Sequence, residues 1–210
     1  MVDGLRLAAL VGSKVCHEIV GPMTGILHGL EMLKESDTNG RNSEALALLE
    51  QGLLKVAAKV DFLRGTFAPN DGEALISLSE ARRLGEPLFA SLKPDLAWRA
   101  PDLDLPRTML RVFMNLLLFS AECLPRGGVV AVEAEEGKIL EIRAIATGPR
   151  ASLRAAVAGA LRGDPTEGGV QADLVMPAMT QLLARQAGYT LLTRTAPERI
   201  ELVLQAPARA

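Results

Sequence analysis

The ten residues His17-Glu18-Ile19-Val20-Gly21-Pro22-Met23-Thr24-Gly25-Ile26 carry the chain's clearest chemistry. An exposed imidazole that titrates near neutrality is a usable nucleophile toward phosphorus. A carboxylate on the next residue, Glu18, can orient the ring and take up a displaced proton. Gly21 lies one helical turn beyond His17, on the same side. In a helix it costs about 1 kcal/mol relative to alanine, and Pro22 about 3 kcal/mol. Helix stability alone selects neither. The proline also deprives the Glu18 carbonyl of its donor and bends the helix beside the histidine.

Two long helices must carry this site. Residues 3–35 read as one helix, with Asp3 as its cap. Val15, Ile19, Ile26, Leu30 and Leu33 fall within about 60° of arc at 100° per residue. His17 falls about 180° from the middle of that stripe, so it faces out. Ser36-Asp37-Thr38-Asn39-Gly40 reads as a polar turn. Asn42 or Ser43 caps a second helix running to about Thr66, with Leu46, Leu49, Leu53, Val56, Val60, Leu63 and Phe67 at helical spacing, and Glu44 suits its first turn. The two make an antiparallel hairpin. Leu27, Leu48, Leu54 and Ala57 lie beside the main stripes, more apolar surface than one hairpin can hide. A homodimeric four-helix bundle would bury it.

Pro69-Asn70-Asp71-Gly72 marks the domain boundary, giving a hairpin domain at 1–69 and a second domain at 70–210. The second domain reads as a strand at Ile76–Leu78, a helix capped by Ser79 through Leu92, a strand at Asp95–Arg99 and a helix from Pro106 to Cys123. Strands at Val129–Glu133 and Ile139–Ile145 follow, turning at Glu136-Gly137. Then come helices at Ser152–Leu161 and Gln171–Ala187, and strands at Thr190–Thr195 and Arg199–Leu204. The expected fold is α+β: the helical hairpin followed by an α/β sandwich.

Composition narrows the function classes. The 210 residues carry a formal charge of −2, which gives no electrostatic case for nucleic acid. Apolar residues make up 49% and aromatics 3%, so Leu, Val, Ala and Met must fill the cores. No apolar run reaches the roughly 18 residues of a membrane span, and Leu5–Val11 lacks the flanks of a signal peptide. Cys16 and Cys123 show no metal-ligand spacing; they read as reduced thiols, Cys16 as a packing residue, in a cytoplasmic protein. The two histidines, His17 and His28, stand about 16 Å apart along one helix, too far to share a metal, so no metal site is expected.

His-Glu followed by proline in an amphipathic helix is similar to the H-box of the dimerisation and phosphoacceptor helices of sensor histidine kinases. The order of the second domain resembles their ATPase domain. That resemblance implies nucleotide contacts which this chain lacks. Where the kinase N-box has Asn-Leu-Leu-x-Asn-Ala, the chain has Asn115-Leu116-Leu117-Leu118-Phe119-Ser120, and a phenyl ring cannot serve a hard cation. Where Asp-x-Gly-x-Gly reads adenine, it has Ala146-Thr147-Gly148-Pro149-Arg150. The second glycine box is reduced to Gly168-Gly169-Val170-Gln171. The combination, with Val20-Gly21 before the proline, resembles the alphaproteobacterial histidine phosphotransferases of the ChpT family.

Membership of that family would make His17 the phosphoacceptor and Glu18 an assisting acid or base. The phosphoryl group would come from a receiver aspartate of a hybrid kinase and pass to response regulators of the CtrA and CpdR kind. The receiver would bring the Mg²⁺, and the chain itself would bind no cofactor. Gly21, Thr24, His28 and Glu31 continue the outward face of His17 and are candidates for receiver contact. Lys59 and Arg64, at the matching level of helix two, are candidates for its rim. An autophosphorylating kinase with a divergent nucleotide site and a non-catalytic dimeric adaptor remain the alternative readings.

Overall fold

The computed structural model describes residues 4–35, 41–67, 74–164 and 170–207. Its architecture is the α+β one expected. The hairpin is formed by α1 (Gly4–Glu35) and α2 (Arg41–Phe67). The remainder follows the order β1 (Leu75–Ser77), α3 (Ser79–Phe89), β2 (Pro94–Trp98), β3 (Asp104–Pro106), α4 (Arg107–Glu122), β4 (Gly128–Glu136), β5 (Leu140–Thr147), α5 (Ala155–Arg162), α6 (Val175–Gln186), β6 (Thr190–Ala196) and β7 (Arg199–Gln205). A 3₁₀ turn, Ala172–Leu174, leads into α6. Asp3, the 36–40 turn, the 69–72 boundary and Gly168-Gly169 lie outside the described residues.

Strands β2-β4-β5-β7-β6 form one sheet, parallel between β2 and β4 and antiparallel elsewhere. Alternation decides its faces. Val130 and Val132 pair with Ala146 and Ala144, which in turn pair with Ile200 and Leu202. All six are buried under the helices. The opposite face carries buried Ala131, Ile145 and Val203 beside charged Glu133, Arg143 and Glu201. Glu133 pairs with Arg99 at 3.3 Å, and Glu135 with Arg143 at 3.1 Å.

Helix α4 is the centre of the core. Eleven of its sixteen residues are buried, Phe113, Leu117 and Phe119 among them, so it is apolar nearly all round, as a helix covered on every side must be. The hairpin joins this core from the side. Phe62 of α2 is buried in it, and Gly65 gives room for Leu84 and Met114, which an added Cβ would meet at 2.7 and 2.9 Å.

Several boundaries differ from the sequence reading. Asn42 and Ser43 lie inside α2, whose helical bonding reaches back to Arg41. Helix α3 ends at Phe89 rather than Leu92. Its N-cap is Leu78, which has no capping side chain, and not Ser79, the first helical residue, whose N–H donates to Ser77 Oγ at 3.1 Å. Pro106 is the residue before α4 and the last of β3. That short strand pairs with β1 in a separate ladder. A proline's missing N–H fits either place, so composition alone did not separate them.

Candidate functional site

Two glycines set how closely the hairpin helices approach. A Cβ on Gly52 would lie 2.6 Å from Ile26 Cγ1, and one on Gly29 would lie 3.0 Å from Leu49 Cγ. Both glycines sit in helix interiors, where they cost about 1 kcal/mol each against alanine, and close packing is the return. The sequence reading passed over them. Their signal is that they share the apolar arc of their helices. Together with an ion pair between Glu18 and Lys59, these contacts place His17 at the level of Val60.

The hairpin has three working sides. Its interior carries Ile19, Ile26, Val56 and Val60, each only partly exposed. A second stripe, Cys16, Val20, Met23, Leu27 and Leu30 of α1, is exposed, with Val20 and Leu27 each 58% accessible. Leu46, Leu53 and Ala57 form its counterpart on α2, and Leu54 beyond them is 64% accessible. Each stripe lies about 80° round from its helix's interior. Antiparallel helices turn in opposite senses, so the two stripes emerge on the same side of the hairpin. Leu30, Leu46 and Leu53 therefore belong to this open side and not to the interior assigned from periodicity. Cys16 likewise is exposed and packs against nothing within the chain's core, whereas Cys123 is buried. There burial, with nearby Glu122, pushes its thiol up to about 12.

His17 is exposed on another side, as expected. Helix α1 continues unbroken through Pro22. Apart from its chain neighbours and its own helix's backbone, Gly21 has no atom within 4 Å of where a Cβ would stand. Thr24 is exposed and donates its hydroxyl to the Val20 carbonyl at 3.1 Å. His28 and Glu31 are exposed, 3.9 Å apart. These five residues span about 80° of the helix surface, and the structure brings them together as one open strip.

Lys59 and Arg64 are not on that strip. Arg64 is exposed, 3.8 Å from Asp61, and borders an open cleft with Glu80 and Arg83 of α3. Lys59 is largely buried on the hairpin's third side, which packs on the second domain. Its ammonium donates to Glu18, and Lys14 reaches the other Glu18 oxygen at 2.7 Å. Burial raises the Glu18 carboxyl, but hydrogen bonds and charge from Lys14 and Lys59 outweigh it and hold the group below its ordinary value. Glu18, one residue on from His17, leaves the helix about 100° round from it, and the two lysines hold its carboxylate on this side.

A cavity of about 120 Å³ lies on that third side, bordered by Lys14, Glu18 and Lys59 of the hairpin and by Phe119, Glu122 and Arg154. Glu122 borders this cavity with part of its side chain open to solvent, and its carboxyl is raised. Desolvation is the main cause and the Glu18 charge adds to it, while Lys14, Arg154 and Lys59 act in the opposite sense.

The positions compared with a nucleotide site hold no nucleotide chemistry. Phe119 is buried in the core, its ring edging this cavity, which is well below the roughly 300–1,000 Å³ of ligand pockets. Asn115 is fully buried and spends its amide on the Arg111 carbonyl at 3.0 Å. Ala146 is buried and offers no carboxylate. Gly148 to Ala151 close a turn, with the Ala151 N–H donating to the Gly148 carbonyl at 3.1 Å. Arg150 within it has φ of 59°. These residues do not fit Mg-ATP. Among the described residues there is no His, Cys, Asp and Glu group placed to hold a metal, and no helix long and apolar enough to cross a membrane.

Comparison with known proteins agrees with this geometry. Residues 78–199 match the model of the histidine phosphotransferase C-terminal domain. Protein phosphotransferase ChpT of Brucella abortus (strain 2308) is 30% identical over 206 residues, covering 95% of each chain. The crystal structure of a bacterial phosphotransferase superposes with a TM-score of 0.86 at 27% identity, over 97% of this chain and 98% of that one. The histidine kinase AdeS of Acinetobacter baumannii shares the fold at a TM-score of 0.51 and 12% identity, over 92% and 98%.

Proposed function

This chain belongs to the histidine phosphotransferase family, and we propose that His17 is the residue through which it relays phosphate. The protein is a phosphorelay phosphotransferase of two-component signalling. In the proposed cycle the unprotonated ring nitrogen of His17 attacks the phosphorus of a receiver aspartyl phosphate. The N–P bond forms as the carboxylate–phosphorus bond breaks, and the reverse reaction delivers the group to a second receiver. The first receiver belongs to a hybrid kinase. The later ones are response regulators, CtrA-like and CpdR-like.

One observation carries this reading: His17 stands exposed on an open strip with Gly21, Thr24, His28 and Glu31. A receiver needs to bring its acidic pocket and Mg²⁺ onto the imidazole, and the metal neutralises the transferred group. The chain need supply only a nitrogen and a surface. Arg64 is kept as a rim contact. Lys59, committed to Glu18, is the weaker candidate of the two.

The same proposal has the chain bind no nucleotide, which the buried Phe119 and Ala146 support. It also has the chain act as a cytoplasmic homodimer. The exposed apolar stripes of α1 and α2 support the dimer, because they share one side and leave His17 about 100° away, free in the assembled bundle. Neither an autokinase nor a passive adaptor accounts for this set as well. The test is to mix the purified protein with a phosphorylated receiver domain. Acid-labile phosphate should appear on the chain and be absent from a folded His17→Ala variant. Phosphate on that variant would refute the assignment of His17.

A further inference from the structure

We propose that Lys59, with Lys14, is a positioning residue that keeps the Glu18 carboxylate away from phosphorylated His17 and so protects the phosphoryl group from water. The inference rests on His17 being the phosphoacceptor. Its basis is the placement of charges on the side of the hairpin facing the second domain. Glu18 is the acid next to His17 in sequence, yet both its oxygens are held by ammonium groups, one from the preceding turn of α1 and one from across the hairpin. The two grips differ in origin. Lys14 is a partly exposed neighbour four residues back on the same helix. Lys59 is the less exposed of the two and reaches across the hairpin, beside a small cavity that Glu122 and Arg154 border from the second domain.

Phosphohistidine is lost when water attacks phosphorus. The new O–P bond forms and the N–P bond breaks. One water proton goes to a base, the ring nitrogen takes up a proton, and inorganic phosphate leaves. A free carboxylate one residue from the imidazole is well placed to be that base. Receiver-to-histidine transfer needs no such base, because a neutral imidazole attacks through its lone pair. Holding Glu18 therefore suppresses the loss without slowing the relay. The empty surface at Gly21 works in the same direction, since it offers no hydroxyl or amide to position the water.

The experiment loads His17 from a phosphorylated receiver, removes the receiver, and follows the phosphohistidine half-life. Lys59→Met should shorten the half-life, and Lys14→Met/Lys59→Met should shorten it further. The expected effect is about tenfold, below the roughly 10²–10⁴-fold of an optimised general base. Adding Glu18→Gln to Lys59→Met should return the half-life to that of the unaltered protein, and Lys59→Arg should keep it. A merely structural role for Lys59 would leave Lys59→Met/Glu18→Gln as short-lived as Lys59→Met. That result, or an unchanged half-life in Lys14→Met/Lys59→Met, overturns the proposal. Failure of the unaltered chain to load at all would instead overturn the relay reading.

Discussion

Replacing Gly21 by alanine separates stability from function at one atom. The position is helical, and apart from its chain neighbours and its own helix's backbone no atom lies within 4 Å of the new methyl. Nothing outside the helix has to move, so the folded state gains at most about 1 kcal/mol of helix propensity, less whatever the new Cβ loses against the ring of Pro22. For a chain of this size that raises Tm by at most about 2–4 °C. Docking runs the other way. A receiver packed over Gly21 at protein density meets the methyl as overpacking, at about 1–3 kcal/mol, which weakens its Kd about five- to 150-fold. The assay pairs a thermal melt with transfer rates across a series of receiver concentrations. Half-saturation should rise while the saturated rate holds. Gly25→Ala, at an equally open site, supplies the stability reference. A Gly21→Ala protein that is more stable and equally fast at every receiver concentration refutes docking across Gly21. One that is less stable refutes the propensity argument.

Other expectations follow from features already described. Leu27→Glu or Leu53→Glu should leave the hairpin folded, since both side chains are exposed in the single chain, but should abolish the dimer by burying an unpaired charge; dimer mass in light scattering at micromolar protein would refute this. Glu122→Gln should stabilise the protein at neutral pH. The folded carboxyl is raised above its ordinary 4.5, so the group's unfavourable contribution sets in as pH rises from about 4.5 through the folded value. The Tm advantage of the variant should vanish near pH 4, and an equal advantage at both pH values would sink the linkage. Calorimetry with Mg-ATP should give no saturable heat up to about 1 mM, and binding tighter than about 100 μM would overturn the loss of the nucleotide site.

The sequence disclosed most where a single period governs. Strands β5 and β7 were legible because their helix-facing residues, Ile142, Ala144 and Ala146 and Ile200, Leu202 and Leu204, recur at every second position, although Ile145 and Val203 on the other face are buried too. His17 faces out because it lies opposite the interior arc of α1 and outside its second apolar stripe as well. Periodicity failed where a helix has two apolar arcs. Leu46 and Leu53 satisfy the spacing of an interior stripe, yet only the partner helix determines which arc is interior. Counting from the turn put Lys59 at the right level of α2 but on the wrong side. The pairing that decides its role spans 41 residues of sequence, and no local pattern records it. Strand β3 was missed because Pro106 reads equally well as a helix start.

Arg150 holds a backbone shape that suits another residue. Its φ of 59° belongs to the left-handed region, which costs an L residue about 1–2 kcal/mol and glycine nothing. It also occupies the place of the second glycine in the adenine-reading box that the chain resembles. Neighbouring backbone keeps the turn in place. The Gly148 N–H donates to the Glu198 carbonyl at 3.1 Å, and a Cβ on Gly148 would strike the Gly127 carbonyl at 2.6 Å. The loop's conformation is thus set by the sheet and needs no bound nucleotide to persist. Such a turn is a fixed piece of scaffold: the side chain at position 150 can vary while the main chain around it stays where the sheet puts it.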